Sequence, residues 1–204
     1  RYSDALTAAD NAVTFRTVVK TIAAGNGLCA DFSPKPLPDQ PGSGFHINMS
    51  VKGPGENRMH HMMGGILRHV SDMTRFLNPS PQSYSRLGVC KAPKYISWSN
   101  NNRSMLIRIP AAAGEYRRVE LRSPDCTANP YLAFALLIWA GLDGIQNEID
   151  LPEKANVNLY TAEPRDIGDM ETLPLSLGSA IKRAEESKFI RAHLPQSLIA
   201  CYKN

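Results

Sequence analysis

The sequence predicts an α+β fold in which an antiparallel sheet carries helices packed against one of its faces. The chain has 204 residues, of which 43% are hydrophobic and 21% charged, a composition typical of one globular domain with a substantial core. Two stretches alternate apolar and polar residues, as strands with one buried face do. Several longer segments repeat apolar residues at helical spacing. The connections between the predicted strands are short, which favours antiparallel pairing.

The first predicted element is a helix that begins after a cap at Ser3 or Asp4 and runs to about Ala24, before two glycines. Its apolar residues recur at helical spacing and predict one buried stripe, made of Leu6, Ala9, Val13, Val18 and Ile22. A short strand is predicted over residues 28–32. A proline-rich loop over residues 33–42 follows it.

Residues 42–51, with the sequence GSGFHINMSV, form the second predicted strand. Alternate positions give an apolar face of Phe45, Ile47, Met49 and Val51 and a polar face of His46, Asn48 and Ser50. A single histidine in a strand is usually structural. Here an imidazole, an amide and a hydroxyl follow one another on one face, and this arrangement favours a functional site.

The middle of the chain predicts further elements in a regular order. They are a turn at 52–57, a helix at 59–77, an irregular loop at 79–92, a strand at 94–98, a turn at 100–102 and a strand at 105–109. The apolar residues of the helix predict a core contribution from Met62, Met63, Ile66, Val70 and Met73. Its three histidines cannot share a metal from one helix face, so we interpret His60, His61 and His69 as surface or packing residues.

Residues 117–131 read RRVELRSPDCTANPY and combine a strand with the start of a helix. Arg118, Glu120 and Arg122 share one face of the strand. Charges of both signs on one rigid face indicate either a site for a charged ligand or a solvated face with cross-strand ion pairs, and the pattern by itself leaves both open. Asn129 is the expected N-cap and Pro130 the first helical residue.

The remaining segments are predicted to be structural. The helix that runs from Pro130 to about Ile145 is apolar on nearly all sides, so we expect it to be the most buried helix. An acidic loop over residues 148–172 follows. Amphipathic helices at 175–188 and 195–203 complete the chain.

The charge pattern favours a small anionic ligand. The net charge of +4 is too low to indicate a nucleic-acid partner, but arginines are concentrated in the middle of the chain, and their planar donors suit phosphate and carboxylate. They are Arg86, Arg103, Arg108, Arg117, Arg118 and Arg122. The four cysteines form no C-x-x-C pair, which predicts reduced thiols, a cytoplasmic protein and no zinc site. Neither a signal peptide nor a membrane span is expected.

Four stretches together resemble glutamine synthetase of the bacterial type I form. They are KPLPDQPGSGFHINMS, NPSPQSYSRL, NNRSMLIRIP and RRVELRSPDCTANPYLAFALLIWAGLDGI, in this order, and a set of this length is highly specific. The resemblance implies ATP-dependent ligation of ammonia to glutamate through γ-glutamyl phosphate, with Mg²⁺ or Mn²⁺ as the divalent ion. It also implies a homo-oligomer, a dodecamer of two hexameric rings in the full-length protein.

The resemblance also implies a role for individual residues. His46 and Glu120 match metal ligands, and Arg103 matches the arginine that reaches the transferred phosphate. Three residues match positions that bind the glutamate substrate: Gly42, Arg86 and Arg122. Four match positions near the nucleotide: Asn48, Ser50, Arg108 and Arg118.

Three positions depart from the pattern of this family. Lys91 stands where members usually carry a glutamate that closes the site and takes part in deprotonating ammonia, and Asn48 replaces a frequent histidine. Tyr160 lies in NLYTAEP, where some regulated members carry an adenylylated tyrosine, but the residues after it differ.

The resemblance begins after the acidic strands of the family's catalytic domain. We therefore interpret residues 1–204 as the C-terminal part of that domain, without the N-terminal β-grasp domain and the first catalytic strands, and expect the chain alone to be inactive. Two alternatives remain open. One is a ligase that joins glutamate to polyamines or other amines, which Lys91 favours. The other is a non-catalytic binding or regulatory protein of the same family.

Overall fold

Four short strands and a set of helices make up the computed structural model, which describes residues 2–53, 57–112 and 114–203. The strands are β1 (Ile47–Met49), β2 (Trp98–Asn100), β3 (Ile107–Ile109) and β4 (Val119–Leu121). The helices are α1 (Ala5–Gly25), α2 (Arg58–Leu77), α3 (Pro81–Arg86), α4 (Pro130–Gln146), α5 (Pro164–Ile167), α6 (Leu177–Glu186), α7 (Lys188–His193) and α8 (Gln196–Cys201). Part of the turn predicted at 52–57, residues 54–56, lies outside the described residues.

The strands form one sheet in the order β1-β4-β3-β2. The predicted α+β class is confirmed, and β4 is antiparallel to both β1 and β3. The β2–β3 pair is parallel instead, with Trp98 opposite Ile107. The six residues between these strands make the crossover, in which Asn101 adopts a positive φ of 58° and Ile107 N donates to the carbonyl of Ser97. Such a short crossover suffices because each strand has only three residues.

The register of the sheet separates an apolar row from a polar row. Leu121 lies opposite Ile47 on one side and Ile107 on the other, and all three side chains are buried in the core. One position away, Glu120 lies opposite Asn48 and Arg108. Because side chains alternate along a strand, this second row faces away from the core. The sheet therefore has a helix-covered face and a polar face.

Local sequence signals place the beginnings of the helices. The side chain of Asp4 accepts a hydrogen bond from Thr7 N at 3.0 Å and caps α1. Asn129 caps α4 through Tyr131 N at 3.0 Å, with Pro130 at the first helical position. Both caps confirm the sequence prediction. An irregular loop was expected where α3 lies. Instead the chain forms this short helix, which begins with a capping box at Ser80.

The core is built on α2, whose five predicted core residues are all buried. The helix packs against α4 at backbone contact distance. A Cβ atom placed on Gly65 would lie 2.1 Å from the carbonyl oxygen of Ala140, and one on Gly144 would lie 2.0 Å from that of His61. These glycines therefore allow the two helix backbones to lie closer together than any residue with a side chain would allow. The resulting pair supports the apolar side of the sheet.

Two burial predictions are wrong. In α1 only Ala9 is buried, and Leu6, Val18 and Ile22 of the expected stripe are exposed. Helix α4 buries the side that faces α2, but Ile138, Trp139 and Leu142 on its other side are exposed. Although α4 is apolar on nearly all sides, it is not the most buried helix. Helix α2 is more buried.

Other boundaries also differ from the predictions. The expected strand at 28–32 has no regular secondary structure. The expected strand at 94–98 joins the sheet only at Trp98, while Tyr95 forms an isolated antiparallel bridge with Thr172. The two predicted C-terminal helices are present as α6 and α8. Helix α7, which Ser187 separates from α6, was not predicted. The four cysteines are free thiols. No helix in the described ranges is long and apolar enough to cross a membrane.

Replacement of Gly65 by alanine is expected to destabilise the chain by about 3 kcal/mol or more, because the new methyl group collides with backbone atoms of α4 that cannot rotate away. Urea unfolding followed by circular dichroism measures the effect. Gly178→Ala in α6 is the matched control, since a Cβ atom there meets nothing within 4 Å, and it should leave stability unchanged or raise it slightly. Equal stability of the two variants would contradict the close approach.

Candidate active site

Glu120 lies at the centre of the polar face and is only 7% exposed. Its Oε2 atom accepts a hydrogen bond from Arg122 Nη1 at 3.0 Å and lies 2.8 Å from Arg108 Nε. Its Oε1 atom lies 3.5 Å from His46 Nδ1. The alternation in β4 and the pairing of β4 with β1 and β3 bring these groups together. The interpretation of this strand as a solvated face with cross-strand ion pairs is therefore wrong about solvation, because Glu120 and Arg122 are buried, although a cross-strand pair with Arg108 is present.

The cationic surroundings keep Glu120 ionised. Burial by itself would raise the pKa of its carboxyl group, but the hydrogen bond and charge of Arg122, together with the charge of Arg108, outweigh burial and lower that pKa. The pKa of His46 is lowered to about 4, mainly by desolvation and then by the charge of Arg122, against the opposing effect of Glu120. The imidazole is therefore neutral at pH 7.

Arg86 approaches the same region from the end of α3 and is 3% exposed. Its Nη1 atom donates to the carbonyl of Ser123 at 2.6 Å, and its Nη2 atom donates to the carbonyl of Arg122 at 3.2 Å. These bonds fix the guanidinium beside the end of β4. Gly42 lies against it, because a Cβ atom there would lie 2.3 Å from the Pro34 carbonyl oxygen and 3.0 Å from the Arg86 side chain.

These groups line one cavity of about 370 Å³. Its charged side chains are five cations and one carboxylate: Arg86, Lys91, Arg103, Arg108, Arg122 and Glu120. His46 and Gly42 line it too, with Pro41, Gly44 and Ala92. Because one carboxylate cannot neutralise five cations, the cavity favours an anion. It thus brings together seven of the ten predicted site residues.

The other three predicted residues lie to one side of this cavity. Ser50 and Arg118 line a neighbouring cavity of about 410 Å³, together with Lys52 and Arg117. Asn48 lines a third cavity of about 270 Å³ together with Ser50, and its Oδ1 atom accepts a hydrogen bond from Arg118 Nε at 3.1 Å. The predicted site is therefore divided between the cavity around Glu120 and the region around Arg118.

Tyr160 is the residue of this region whose contacts the sequence did not indicate. Its hydroxyl group lies 2.6 Å from the carbonyl oxygens of both Lys91 and Arg103. The sequence separates it from Lys91 by 69 residues, and no periodic pattern connects them. Lys91 itself was singled out only as a departure from the family pattern.

The donor set for a divalent ion on this chain is incomplete. His46 offers a neutral imidazole and Glu120 an ionised carboxylate, both of which suit Mn²⁺, and the carboxylate suits Mg²⁺. The residues that the structure describes contain no group of three or more potential ligands among His, Cys, Asp and Glu. The two side chains therefore fit as part of a metal site, whose other ligands would be phosphate oxygens, water or groups outside this chain.

Comparison with known families assigns the chain to one of them. The model of the glutamine synthetase catalytic domain matches residues 1–204, the whole chain. The chain belongs to the glutamine synthetase family. Curated relatives include glutamine synthetases from Methanosarcina mazei, 43% identical over 218 residues, and Pyrococcus furiosus, 43% identical over 217 residues. The alignments cover 99% and 100% of this chain but 49% and 48% of the relatives.

Solved structures agree with this assignment. A GmaS/ADP complex superposes on the chain with a TM-score of 0.87 and 32% sequence identity, and ligand-free GmaS superposes with a TM-score of 0.87 and 33% identity. Each match covers all of this chain and about half of the other. The chain thus spans about half the length of the glutamine synthetases and GmaS chains that it matches.

Replacement of Glu120 by glutamine is expected to destabilise the chain by about 3 kcal/mol, because Arg108 and Arg122 lose the carboxylate that neutralises them in a buried position. Chemical unfolding at pH 7 measures the loss. Glu185→Gln is the matched control, since it breaks an exposed ion pair with Lys203 and should cost less than about 1 kcal/mol. A similar loss in both variants would show that Glu120 does not hold the site together.

The lowered pKa of His46 predicts a pH-dependent stability. Above pH 6.5 the imidazole is neutral in both the folded and the unfolded chain, so its titration does not reduce the free energy of unfolding. As the pH falls from 6.5 towards about 4, the unfolded chain binds a proton that the folded chain excludes, and stability decreases. We expect a loss of roughly 1–2 kcal/mol after allowance for the partial exposure of the ring.

Unfolding free energies measured at pH 7 and pH 5 provide the test. His46→Asn should reduce the difference between the two pH values, leaving the smaller contribution of His193, whose pKa is also lowered by desolvation. An unchanged difference in this variant would contradict the pKa assigned to His46.

Proposed function

We propose that the protein to which this chain belongs ligates ammonia to glutamate at the expense of ATP, through γ-glutamyl phosphate. The observation that carries the proposal is the convergence of four arginines on one cavity at family motif positions. They are Arg86, Arg103, Arg108 and Arg122. Glutamate and ATP are both anionic, and the reaction moves a phosphoryl group that carries negative charge. Preorganised cations are the main way in which proteins stabilise such a transfer.

The cavity around Glu120 would be the glutamate part of the site. Arg86 and Arg122 supply rigid guanidinium groups that suit carboxylates, and the backbone carbonyls that hold Arg86 keep it from collapsing onto Glu120. Gly42 leaves backbone open to the substrate because it has no side chain. Glu120 orients Arg122 through the hydrogen bond at 3.0 Å.

The region around Arg118 would bind the nucleotide. Arg118 and Ser50 line the neighbouring cavity, and Asn48 contacts Arg118. Arg108 and Arg103 line the cavity around Glu120, from which they would reach the phosphates, Arg103 at the γ-phosphoryl group that passes from one substrate to the other. The GmaS structure that matches this chain contains ADP, which supports a nucleotide site on this fold.

The proposed chemistry has two steps. A γ-carboxylate oxygen of glutamate attacks the γ-phosphorus of ATP, and the bond to the bridging oxygen breaks to release ADP. The nitrogen of ammonia then attacks the acyl carbon, phosphate leaves, and one proton is lost from nitrogen. Arg103 and Arg108 neutralise charge on the phosphoryl oxygens in both steps. His46 and Glu120 would hold a divalent ion, which adds positive charge at the phosphates when it is bound.

We propose that the whole protein is cytoplasmic and forms a dodecamer of two hexameric rings. The N-terminal β-grasp domain and the acidic strands of the family would lie outside residues 1–204. Since this chain provides only two metal ligands in its described part, we expect the 204-residue chain alone to be inactive.

Lys91 favours a second candidate function, ligation of glutamate to an amine other than ammonia. Its side chain lines the glutamate cavity, where an ammonium group repels ammonium ions and cannot accept the proton that a glutamate would accept. The phosphate and carboxylate arginines are all retained. The donor half of the reaction is therefore supported more strongly than the identity of the acceptor.

Purified full-length protein, assayed for phosphate release with ATP, Mg²⁺ or Mn²⁺ and glutamate, tests the proposal. Ammonia, methylamine and a polyamine are offered in parallel. We expect release with ammonia and none from the 204-residue chain.

Arg86→Gln should lower kcat/KM for glutamate about 10- to 100-fold, because a charged hydrogen-bond donor is lost. Arg183→Gln, an exposed arginine paired with Asp72, is the matched control.

The outcome separates the candidates. Release with an amine but not with ammonia favours the second function. No release with any acceptor contradicts both enzymes and favours a binding or regulatory protein. Lys91→Glu should raise kcat/KM for ammonia about tenfold if the lysine limits its use, and an unchanged value would show that Lys91 has no part in choosing the acceptor.

A further inference from the structure

We propose that Tyr160 is a positioning residue that holds the Lys91 loop, residues 87–93, closed over the glutamate part of the cavity. Lys91 and Ala92 of this loop line the cavity. Tyr160 does not line it and would act on the glutamate part through the loop. This inference rests on the proposed function where it concerns substrate binding, but the contact between tyrosine and loop does not.

The contact is a direct hydrogen bond to the tip of the loop. The Tyr160 hydroxyl oxygen lies 2.6 Å from the Lys91 carbonyl oxygen. The other polar contacts of the tip with the rest of the described structure are longer. Arg122 Nη2 lies 3.5 Å from the same carbonyl, and Lys35 Nζ lies 3.9 Å from Cys90 Sγ. The tyrosine thus supplies the strongest polar contact of the tip in this part of the chain.

Tyr160 is itself firmly anchored beside Arg103. The Asn102 side chain donates to the Val157 carbonyl at 2.9 Å, and Leu159 N donates to Ser104 Oγ at 3.0 Å. Leu159 is buried. The segment that carries the tyrosine is therefore fixed to the turn that carries Arg103, and it can restrain a neighbouring loop.

The Lys91 loop requires such a restraint. Gly88 has a φ of 77° and Cys90 a φ of 54°. A positive φ at a residue with a side chain stores conformational strain. Residues 88–91 are exposed, while Leu87 and Ala92 at either side are buried. The loop is thus fixed at its base and strained and solvated at its tip, where the tyrosine contacts it.

The second acceptor makes the contact reversible. A phenol has one hydroxyl hydrogen, so only one of the two carbonyls at 2.6 Å can accept it at a time. When the loop moves away, the hydroxyl group still donates to the Arg103 carbonyl and is not left unpaired. Opening therefore costs the hydrogen bond to Lys91 but leaves the tyrosine hydroxyl group with a partner. This arrangement suits a loop that closes on a substrate and then releases the product.

Tyr160→Phe in the full-length protein tests the proposal, because it removes only the hydroxyl group. Hydrogen exchange of the peptide that contains residues 87–93 should become about three- to tenfold faster, as expected for the loss of one neutral hydrogen bond. The KM for glutamate should rise by a similar factor, while the KM for ATP stays within about twofold of the parent value.

Tyr131→Phe is the matched control. It removes a hydroxyl group that donates to Asp10 at 2.6 Å, between α4 and α1 and away from the cavity. It should leave exchange of residues 87–93 and the glutamate KM unchanged. Exchange that is unchanged in Tyr160→Phe, or equally faster in the control, would overturn the proposal. So would faster exchange without a change in the glutamate KM.

The proposed function and the role of Tyr160 can be tested separately. A parent protein that turns over no glutamate with any amine would overturn the proposed function. The exchange comparison between Tyr160→Phe and Tyr131→Phe requires no turnover and would still decide whether the tyrosine holds the loop.

Discussion

The ionised carboxylate of Glu120, buried among cations, is the interaction on which the polar face of this chain depends. It lies between Arg108 and Arg122 and beside His46. Without it, two guanidinium groups would face each other with little water to screen them. With it, both are held in place and the cavity still has a cationic excess. The same carboxylate thus organises the site and leaves it able to attract an anion.

The sequence predicted the elements that follow from local rules, and it failed where packing between distant segments decides. The alternation in β1 and β4 and the caps at Asp4 and Asn129 are local, and the structure confirms them. The burial of α1 and α4 was predicted from their apolar faces, but an apolar face does not show what covers it, as exposed Ile22 and Trp139 illustrate.

The site shows the same division. The strand period placed Glu120 and Arg122 on one face, and the family motifs indicated Arg86 and Arg103, which the structure brings to the same cavity. The link between Tyr160 and the Lys91 loop could not be predicted from sequence. It connects two irregular segments, each of which lacks a periodic pattern, through backbone carbonyls that any residue would provide.

The backbone contact between α2 and α4 also limits how this sequence can change over evolutionary time. Gly65 and Gly144 each lie where the other's helix leaves no room for a methyl group, so a substitution at either one must separate the helices before the other position can adapt. No single exchange at these positions is neutral. Lineages that share this packing must therefore keep both glycines or move both helices together, and variation is directed to the exposed outer sides of the same two helices.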